Sequence, residues 1–351
     1  LLLVRVFNLV SPRYIDLFLN YLRLRGYFIG IAQHAIGQAS VNQSKIRNIV
    51  VPLPPVSEHM RIVEKVDELM ALCDRLEQQT SDQISAQETL VDTLLDSLTR
   101  SQDAAELADN WARLAEHFDT LFTTEHSIDR LEQTILQLAV MGRLVPQDPN
   151  DEPASVLIER IENEKEQLVQ QGKIKKSKKH PPIVKDEKYF KVPDSWSWCR
   201  LGDLAHYSEA GWSPKCEDYP REGNDWGVLK VSAVSWGEYR PSENKRLPVS
   251  TEPKAELEVK PYDFLISRAN TADLVARSVV VPGEAPSHLL MSDKIIRFIF
   301  PDLTISRYVN IFNNSPFARE YYARIAGGTS SSMKNVSREQ IRNIQIPLPP
   351  L

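Results

Sequence analysis

The chain has 351 residues, enough for two or three domains at roughly 100–200 residues each. Hydrophobic residues make up 42% and charged residues 25%, a globular composition that excludes the disordered and collagen-like classes. The net charge of −5 hides a segregation: +5 over residues 1–57, −16 over 58–171 and +6 over 172–351, so charge per segment is the quantity that bears on partners.

The opening LLLVRVFNLV is interrupted by Arg5 and Asn8 and lacks a cleavage site, so it does not read as a signal peptide. No stretch approaches the ~20 uninterrupted apolar residues of a membrane helix. Cys73, Cys199 and Cys216 form no CxxC pair, which argues against a zinc site or a disulfide framework and fits a reducing cytoplasm. The seven histidines show no metal-ligand spacing, and no metal or cofactor is expected.

The first segment ends in a motif that returns at the end of the chain. Ile46–Pro55 reads IRNIVVPLPP and Ile341–Pro350 reads IRNIQIPLPP, identical at eight of ten positions at an offset of 295. Upstream, at an offset of 294, Tyr14, Phe18 and Asn20 match Tyr308, Phe312 and Asn314, and Tyr27, Ile31 and Ala32 match Tyr321, Ile325 and Ala326. Further back, LVRV at Leu3–Val6 resembles IIRF at Ile295–Phe298. A period this long is a domain plus a connector, not a solenoid repeat. The sequence therefore reads as a window on a longer pattern, with the start of the first domain and the whole of a second connector outside it.

A helical connector follows the first motif. Ile62, Val66, Leu69, Cys73 and Leu76 are spaced four, three, four, three, a heptad seam whose residues are expected to pack. Glu58–Arg100 contains no Pro or Gly and reads as one helix. A second stripe runs through Trp111, Leu114, Phe118 and Leu121, then Ile128, Leu131, Ile135 and Leu138, ending at Gly142, a residue suited to a helix C-cap. Two stripes joined by a short polar segment predict an antiparallel helical spacer. Pro146, Pro149 and Pro153 then mark a loop, and a third helix is predicted over 154–171. Gly172–Lys191 carries eight Lys against Asp186 and Glu187 and reads either as a solvated linker or as a phosphate-contacting arm.

From Val192 the texture is that of an α/β-mixed domain. Strands are predicted at Gly227–Val234, Asp263–Ala269, Arg277–Gly283 and Lys294–Phe300, followed by helices near Ser306–Asn313 and Pro316–Ile325.

Taken together, IRNI-PLPP followed by EHMRIVEKVDELMALCDRLE, LQLAVMGRLVPQ at Leu136–Gln147, VPDSWSWCRLGDL, FLISRANTADLV and GGTSSSMKNVSREQIRNIQIPLPP resemble the specificity subunit of type I restriction–modification enzymes across essentially the whole chain. The resemblance implies an α+β fold with two α/β-mixed target-recognition domains, the first truncated (1–57) and the second at 192–351, separated by a long antiparallel, coiled-coil-like spacer (58–171) and a Lys-rich linker (172–191). It implies that each recognition domain reads one half of a split double-stranded DNA target. It also implies that the spacer docks methyltransferase subunits and that restriction subunits join the complex, with no membrane involved.

Catalytic signals are missing. There is no NPPF or DPPY motif of an adenine N6-methyltransferase and no GxxxxGK[ST] phosphate loop, and no nuclease-type acidic constellation is formed around Glu258 and Lys260. No catalytic residue is expected. Side chains suited to base edges or phosphates are Arg268, Asn270 and Thr271 at a predicted strand end, Lys230 and Ser232 on or after another strand, and Lys215, Lys245, Lys294 and Lys334 as phosphate partners. Thr329 and Ser330 in the GGTSSS loop read as a turn or a phosphate contact. Trp236 reads more as core than as a stacking platform. In the first domain Gln38, Asn42, Gln43 and Lys45 occupy the equivalent loop. The competing readings are a helical scaffold that binds proteins rather than DNA, and an enzyme acting on DNA.

Overall fold

The structure, a computed structural model, describes residues 5–6, 10–35, 38–176, 180–328 and 333–350, with the side chains of 33–39 left aside. These residues divide into two compact units, 1–90 and 91–351.

In the first unit, Ser11 caps helix α1 (Pro12–Leu24) by accepting the Tyr14 N–H, and Pro12 takes a first-turn position that lacks an intrahelical partner anyway. Short helix α2 (Tyr27–Ile31) leads into the hairpin β1 (Gln33–Ala35) and β2 (Gln38–Ser40), then α3 (Gln43–Arg47) capped by Asn42. Helix α4 (Val56–Arg100) begins in this unit and, with no Pro or Gly, runs unbroken for 45 residues, about 68 Å at ~1.5 Å per residue. Tyr14 ties the start of α4 to α1: its hydroxyl donates to the Pro52 carbonyl at 2.8 Å and its ring stacks on His59 at 4.6 Å. Arg13 pairs with Asp67 at 2.8 Å. The expected packing of the heptad seam is not found within this unit: Leu69 is 48% exposed, Leu76 is 54% exposed and Cys73 is exposed.

In the second unit the last turns of α4 bury Val91, Leu95 and Leu98 against Leu114 of α5 (Ala104–Glu116), Leu121 of α6 (Phe118–Leu121) and Leu138 of α7 (Glu125–Val140). The second stripe is thus three helices rather than one, cut by His117 and by Thr124, whose side chain caps α7. Gly142 ends the bundle at φ +70°, as a C-cap glycine should. Helix α8 (Ala154–Gln170) puts Ala154, Leu157 and Ile161 into the main core rather than leaving the spacer separate. In the segment after it Tyr189 and Phe190 pack against Phe317 and Trp198, and His180 meets Asp203 at 2.8 Å, while the described lysines are exposed.

Strand β3 (Ser197–Arg200) and α9 (Leu201–Leu204) open the sheet region. There follow β4 (Tyr207–Ala210), β5 (Gly227–Leu229), β6 (Asn244–Arg246), β7 (Phe264–Ser267), β8 (Ala269–Asn270), β9 (Ser278–Val280), β10 (Leu289–Leu290) and β11 (Ile295–Ile299). Helices α10 (Leu303–Asn314) and α11 (Pro316–Ile325), strand β12 (Lys334–Asn335), α12 (Arg338–Arg342) and β13 (Gln345–Leu348) complete the chain. The predicted strand over 227–234 stops at Leu229, because Val231–Val234 turns into a 3-10 helix. The central sheet is antiparallel in the order β4-β11-β7-β9, beside a three-stranded sheet β10-β5-β6 and the pairs β12-β8 and β13-β3. Phe264 and Ile266 of β7 point into one core while Leu265 points into the other, so this strand is an unbroken apolar run buried on both faces.

One charge lies inside. Arg297 of β11 is 5% exposed and engages all five N–H donors: Glu209 at 2.6 and 2.8 Å, Asp263 at 2.7 Å, and the carbonyls of Glu256 and Glu258 at 2.8 and 2.7 Å. Because Asp263 is itself only 9% exposed, Arg297→Ala leaves a buried carboxylate without its cation. A loss of about 3–5 kcal/mol in urea unfolding is expected; a loss under about 1 kcal/mol would show that the pair is not buried in solution.

The sequence repeat is also a structural one. Tyr308 donates to the Pro347 carbonyl as Tyr14 does to Pro52. Ser337 caps α12 by accepting the Gln340 N–H as Asn42 accepts that of Lys45. The Gln33–Ser40 pairing has its counterpart in the Gly327–Asn335 bridge. Even a substituted position keeps its bond: Lys45 Nζ donates to the Ile31 carbonyl at 2.6 Å and Gln340 Nε2 to the Ile325 carbonyl at 3.0 Å.

Candidate nucleic-acid interface

Backbone pairing gathers several of the sequence-selected residues at one end of the central sheet. Arg268 leaves β7; its N–H donates to the Lys294 carbonyl at 2.8 Å and its carbonyl accepts from Val336 at 2.9 Å. Lys334 lies opposite Asn270 in the β12–β8 pair. The loop carrying Lys215 joins the same end, since the Gly211 N–H donates to Ile295 at 3.1 Å and Trp212 to Met291 at 2.9 Å. Arg268, Lys294 and Lys334 are therefore neighbours although 66 residues of sequence separate the first from the last.

The loop after Asn270 is held from inside. Asn313, fully buried, donates to the Ala276 carbonyl at 2.8 Å and to Ser278 at 2.9 Å, and accepts from Tyr322 at 2.8 Å. Arg319 donates to the carbonyls of Val275 and Ala276 at 2.7 and 2.8 Å. This network imposes φ +57° on Ala276, a left-handed conformation worth about 1–3 kcal/mol of strain in a non-glycine residue. The Arg268–Thr271 segment is thus presented on a fixed base.

The selected side chains differ in what they already bind. Asn270 donates to Ser235 at 2.8 Å and accepts from the Thr271 N–H at 2.8 Å, so its amide serves the fold. On the β5–β6 side, Ser232 and Lys230 both meet Glu243, at 2.7 and 3.5 Å; the hydroxyl first, and then the ammonium charge, hold that carboxyl below the usual range. Asp218 accepts from Lys245 at 2.6 Å and by that bond and its charge pushes the ammonium up. Lys334 Nζ donates to the Gly328 carbonyl at 2.9 Å. Among the described residues no side-chain partner is found for Lys215, Arg268 or Lys294, of which the two lysines are exposed and Arg268 is half-buried. Thr329 and Ser330 lie outside the described residues.

Trp236 is not core: it is 54% exposed, with the Arg240 guanidinium 5.5 Å from its ring centre. The chain turns into a 3-10 helix at 231–234, and Ser235 beside Trp236 is bonded to Asn270 at the sheet end. In the first unit Asn42 is the α3 cap, Lys45 is engaged with Ile31, Gln43 opens α3 and Gln38 lies in β2. Among the described residues no cluster of His, Cys, Asp or Glu could hold a metal ion, and no helix is long and apolar enough to cross a membrane.

No family model matches the chain. It is 49% identical over 316 residues to the type I restriction enzyme EcoEI specificity subunit of Escherichia coli, covering 90% of this chain and 53% of that protein. It is 39% identical over 319 residues to the EcoAI specificity subunit of the same species, again with 90% and 53% covered. The chain thus spans about half the length of the curated relatives it matches. The crystal structure of the HsdS subunit from Thermoanaerobacter tengcongensis overlaps 97% of this chain and 59% of its own at 14% identity and a TM-score of 0.36, too loose to argue from.

The division between engaged and unengaged side chains predicts unequal stability effects. Asn270→Ala, which deprives the 1%-exposed Ser235 of a partner, is expected to lower unfolding free energy by about 1–3 kcal/mol in urea melts. Lys294→Ala is expected to stay within ~0.5 kcal/mol. Equal losses would mean that both side chains are structural.

Proposed function

We propose, from the premise that this chain belongs with the specificity subunits of type I restriction enzymes, about half of whose length it spans, that it is a non-catalytic DNA-recognition polypeptide. The observation that carries the reading is the 49% identity sustained over 316 residues. Each copy of the repeated module serves one half of a split double-stranded target. The acidic stretch over 58–171 is the spacer that docks methyltransferase subunits, with restriction subunits joining the assembly. The division 1–57, 58–171, 172–191 and 192–351 follows from that reading. An acidic spacer repels phosphates and leaves DNA to the flanking modules.

Within the second module the cations at the sheet end that meet no carboxylate among the described residues are the primary contacts. Arg268, with a planar fork of donors, suits a base edge, and Lys215, Lys294 and Lys334 suit phosphates. Asn270 and Thr271 shape the loop that carries Arg268. Lys230, Ser232 and Lys245 would first have to exchange Glu243 and Asp218 for DNA, which makes them secondary contacts. Thr329 and Ser330 remain candidate phosphate contacts on sequence grounds.

Two measurements test this reading with the chain assembled with its methyltransferase subunits. Duplex affinity is expected to fall steeply with salt, and Lys294→Ala to lower the slope of log K against log salt by about 1 while weakening all sequences alike. Arg268→Ala is expected to cost about 1–3 kcal/mol and to relax preference at one base position, read by methylome sequencing. Salt-independent binding would favour the protein-scaffold reading. Methylation or cleavage by the isolated chain with Mg²⁺ and S-adenosylmethionine would overturn the non-catalytic one.

A further inference from the structure

Near the cations of the sheet end stands an aromatic ring that the core does not use. Ala233 and Val234 are fully buried and Ser235 is 1% exposed, yet Trp236, the next residue, is 54% exposed. Hydrogen bonds close the turn that carries it. Ser235 Oγ donates to the Val231 carbonyl at 2.6 Å, the Arg240 N–H to the Ala233 carbonyl at 2.9 Å and the Lys230 N–H to the Glu243 carbonyl at 2.9 Å. Gly237 supplies the reversal at φ +80°. Tyr239 anchors the far side of the turn on the core that holds Val228, Leu229 and Leu265.

The ring is oriented as well as exposed. The Arg240 guanidinium lies 5.5 Å from its centre and is itself held by Glu238 at 2.6 and 2.7 Å. The charges of the turn pair with each other, Arg240 with Glu238 and Lys230 with Glu243. From the other side the Asn270 amide donates to Ser235 at 2.8 Å. Asn270 stands two residues after Arg268 and opposite Lys334 in the β12–β8 pair. A charge-compensated turn therefore presents a large apolar ring beside the strand that follows Arg268.

We propose that Trp236 is a specificity-determining contact of the DNA interface, packing its ring on an apolar part of a base next to the one that Arg268 reads. The inference rests on the DNA-recognition reading and adds to it a contact that is not ionic. Phosphates attract Lys294 and Lys334, but a ring in a turn whose charges are paired gains nothing from them. It gains from leaving water, and the apolar groups a duplex offers it are the thymine methyl and a base face opened at a flexible step. A protein partner fits less well, because Arg268 and Lys294, at the same sheet end, meet no carboxylate among the described residues and call for an anionic surface. Fixed in its turn, the ring loses little freedom on binding, so a base that does not fit it is penalised.

The test uses the chain assembled with its methyltransferase subunits and a duplex carrying the target that methylome sequencing identifies. Trp236→Ala is expected to weaken duplex affinity about tenfold at every salt concentration. The slope of log K against log salt is expected to stay unchanged, since no phosphate contact is lost. Trp236→Phe, which keeps a ring, is expected to stay within about threefold of the wild type. Both variants alter a largely exposed side chain and are expected to keep the wild-type urea midpoint. Single thymine-to-deoxyuridine replacements that weaken the wild type but not Trp236→Ala assign the contact to a methyl group. A rise in 2-aminopurine fluorescence at one step, lost in Trp236→Ala, assigns it to an opened base. Unchanged affinity in Trp236→Ala, an equal loss in Trp236→Phe, or a fall of about 1 in the salt slope overturns the inference. So does a loss that arises from failure to bind the methyltransferase subunits, which would make the ring a protein contact. If Lys294→Ala still weakens binding in any of these cases, the DNA-recognition reading stands without Trp236.

Discussion

A four-residue antiparallel ladder joins Ser197–Arg200 to Gln345–Leu348 and brings together segments almost 150 residues apart in sequence. Every other strand of the second unit, β4 to β12, lies between these two in sequence. Closing so long a loop costs conformational entropy, and the ladder offsets it by burying Ile341, Ile344, Ile346 and Leu348 under Cys199, Leu201 and Leu204. Burial pushes the Cys199 thiol well up, so it behaves as a small apolar group rather than a reactive one. In the first copy of the repeat the caps, the hairpin and the tyrosine-to-proline bond form locally. Local bonds fix the shape of the module, and in the second copy the long-range strand closes its core.

That core governs what the surface can do. Strand β7 in the middle of the central sheet is buried on both faces, so its side chains are not free to meet a partner. Interaction is left to the loops at the strand ends. The loop bearing Arg268 is clamped by Asn313 and Arg319, and the strain at Ala276 is tolerated because those bonds over-determine it. A fixed loop is what base-edge discrimination requires, because a bidentate contact tolerates little displacement.

The helices were legible because their signals are local. One helix without Pro or Gly over 58–100, Gly142 as a stop and the start at Pro316 all follow from short-range chemistry, and each stands within a few residues of its expected place. The turn at Val231–Val234 was not legible. VSAV has the composition of a strand, and its bend is set by contacts made elsewhere in the unit, including the bond from Asn270 to Ser235. Trp236 moved outside with it. The heptad seam at Leu69, Cys73 and Leu76 shows the same limit in reverse: periodicity states that a face wants a partner, not that the partner lies in the same unit.

Residue types alone nominated eleven candidates for DNA contact, and they could not rank them, because a lysine beside a carboxylate and a lysine beside nothing read alike in one dimension. Distances do the ranking: Lys245 lies 2.6 Å from Asp218 and Asn270 is engaged with Ser235, while Arg268 and Lys294 are brought together by a strand register with no described side chain to neutralise them. The sequence by itself determined the helices, the caps and the duplication, since these depend on neighbours a few residues apart. Which polar groups are already satisfied, and how the second copy closes its core, was decided only by the tertiary structure, because both depend on atoms that the chain brings together from segments far apart in sequence.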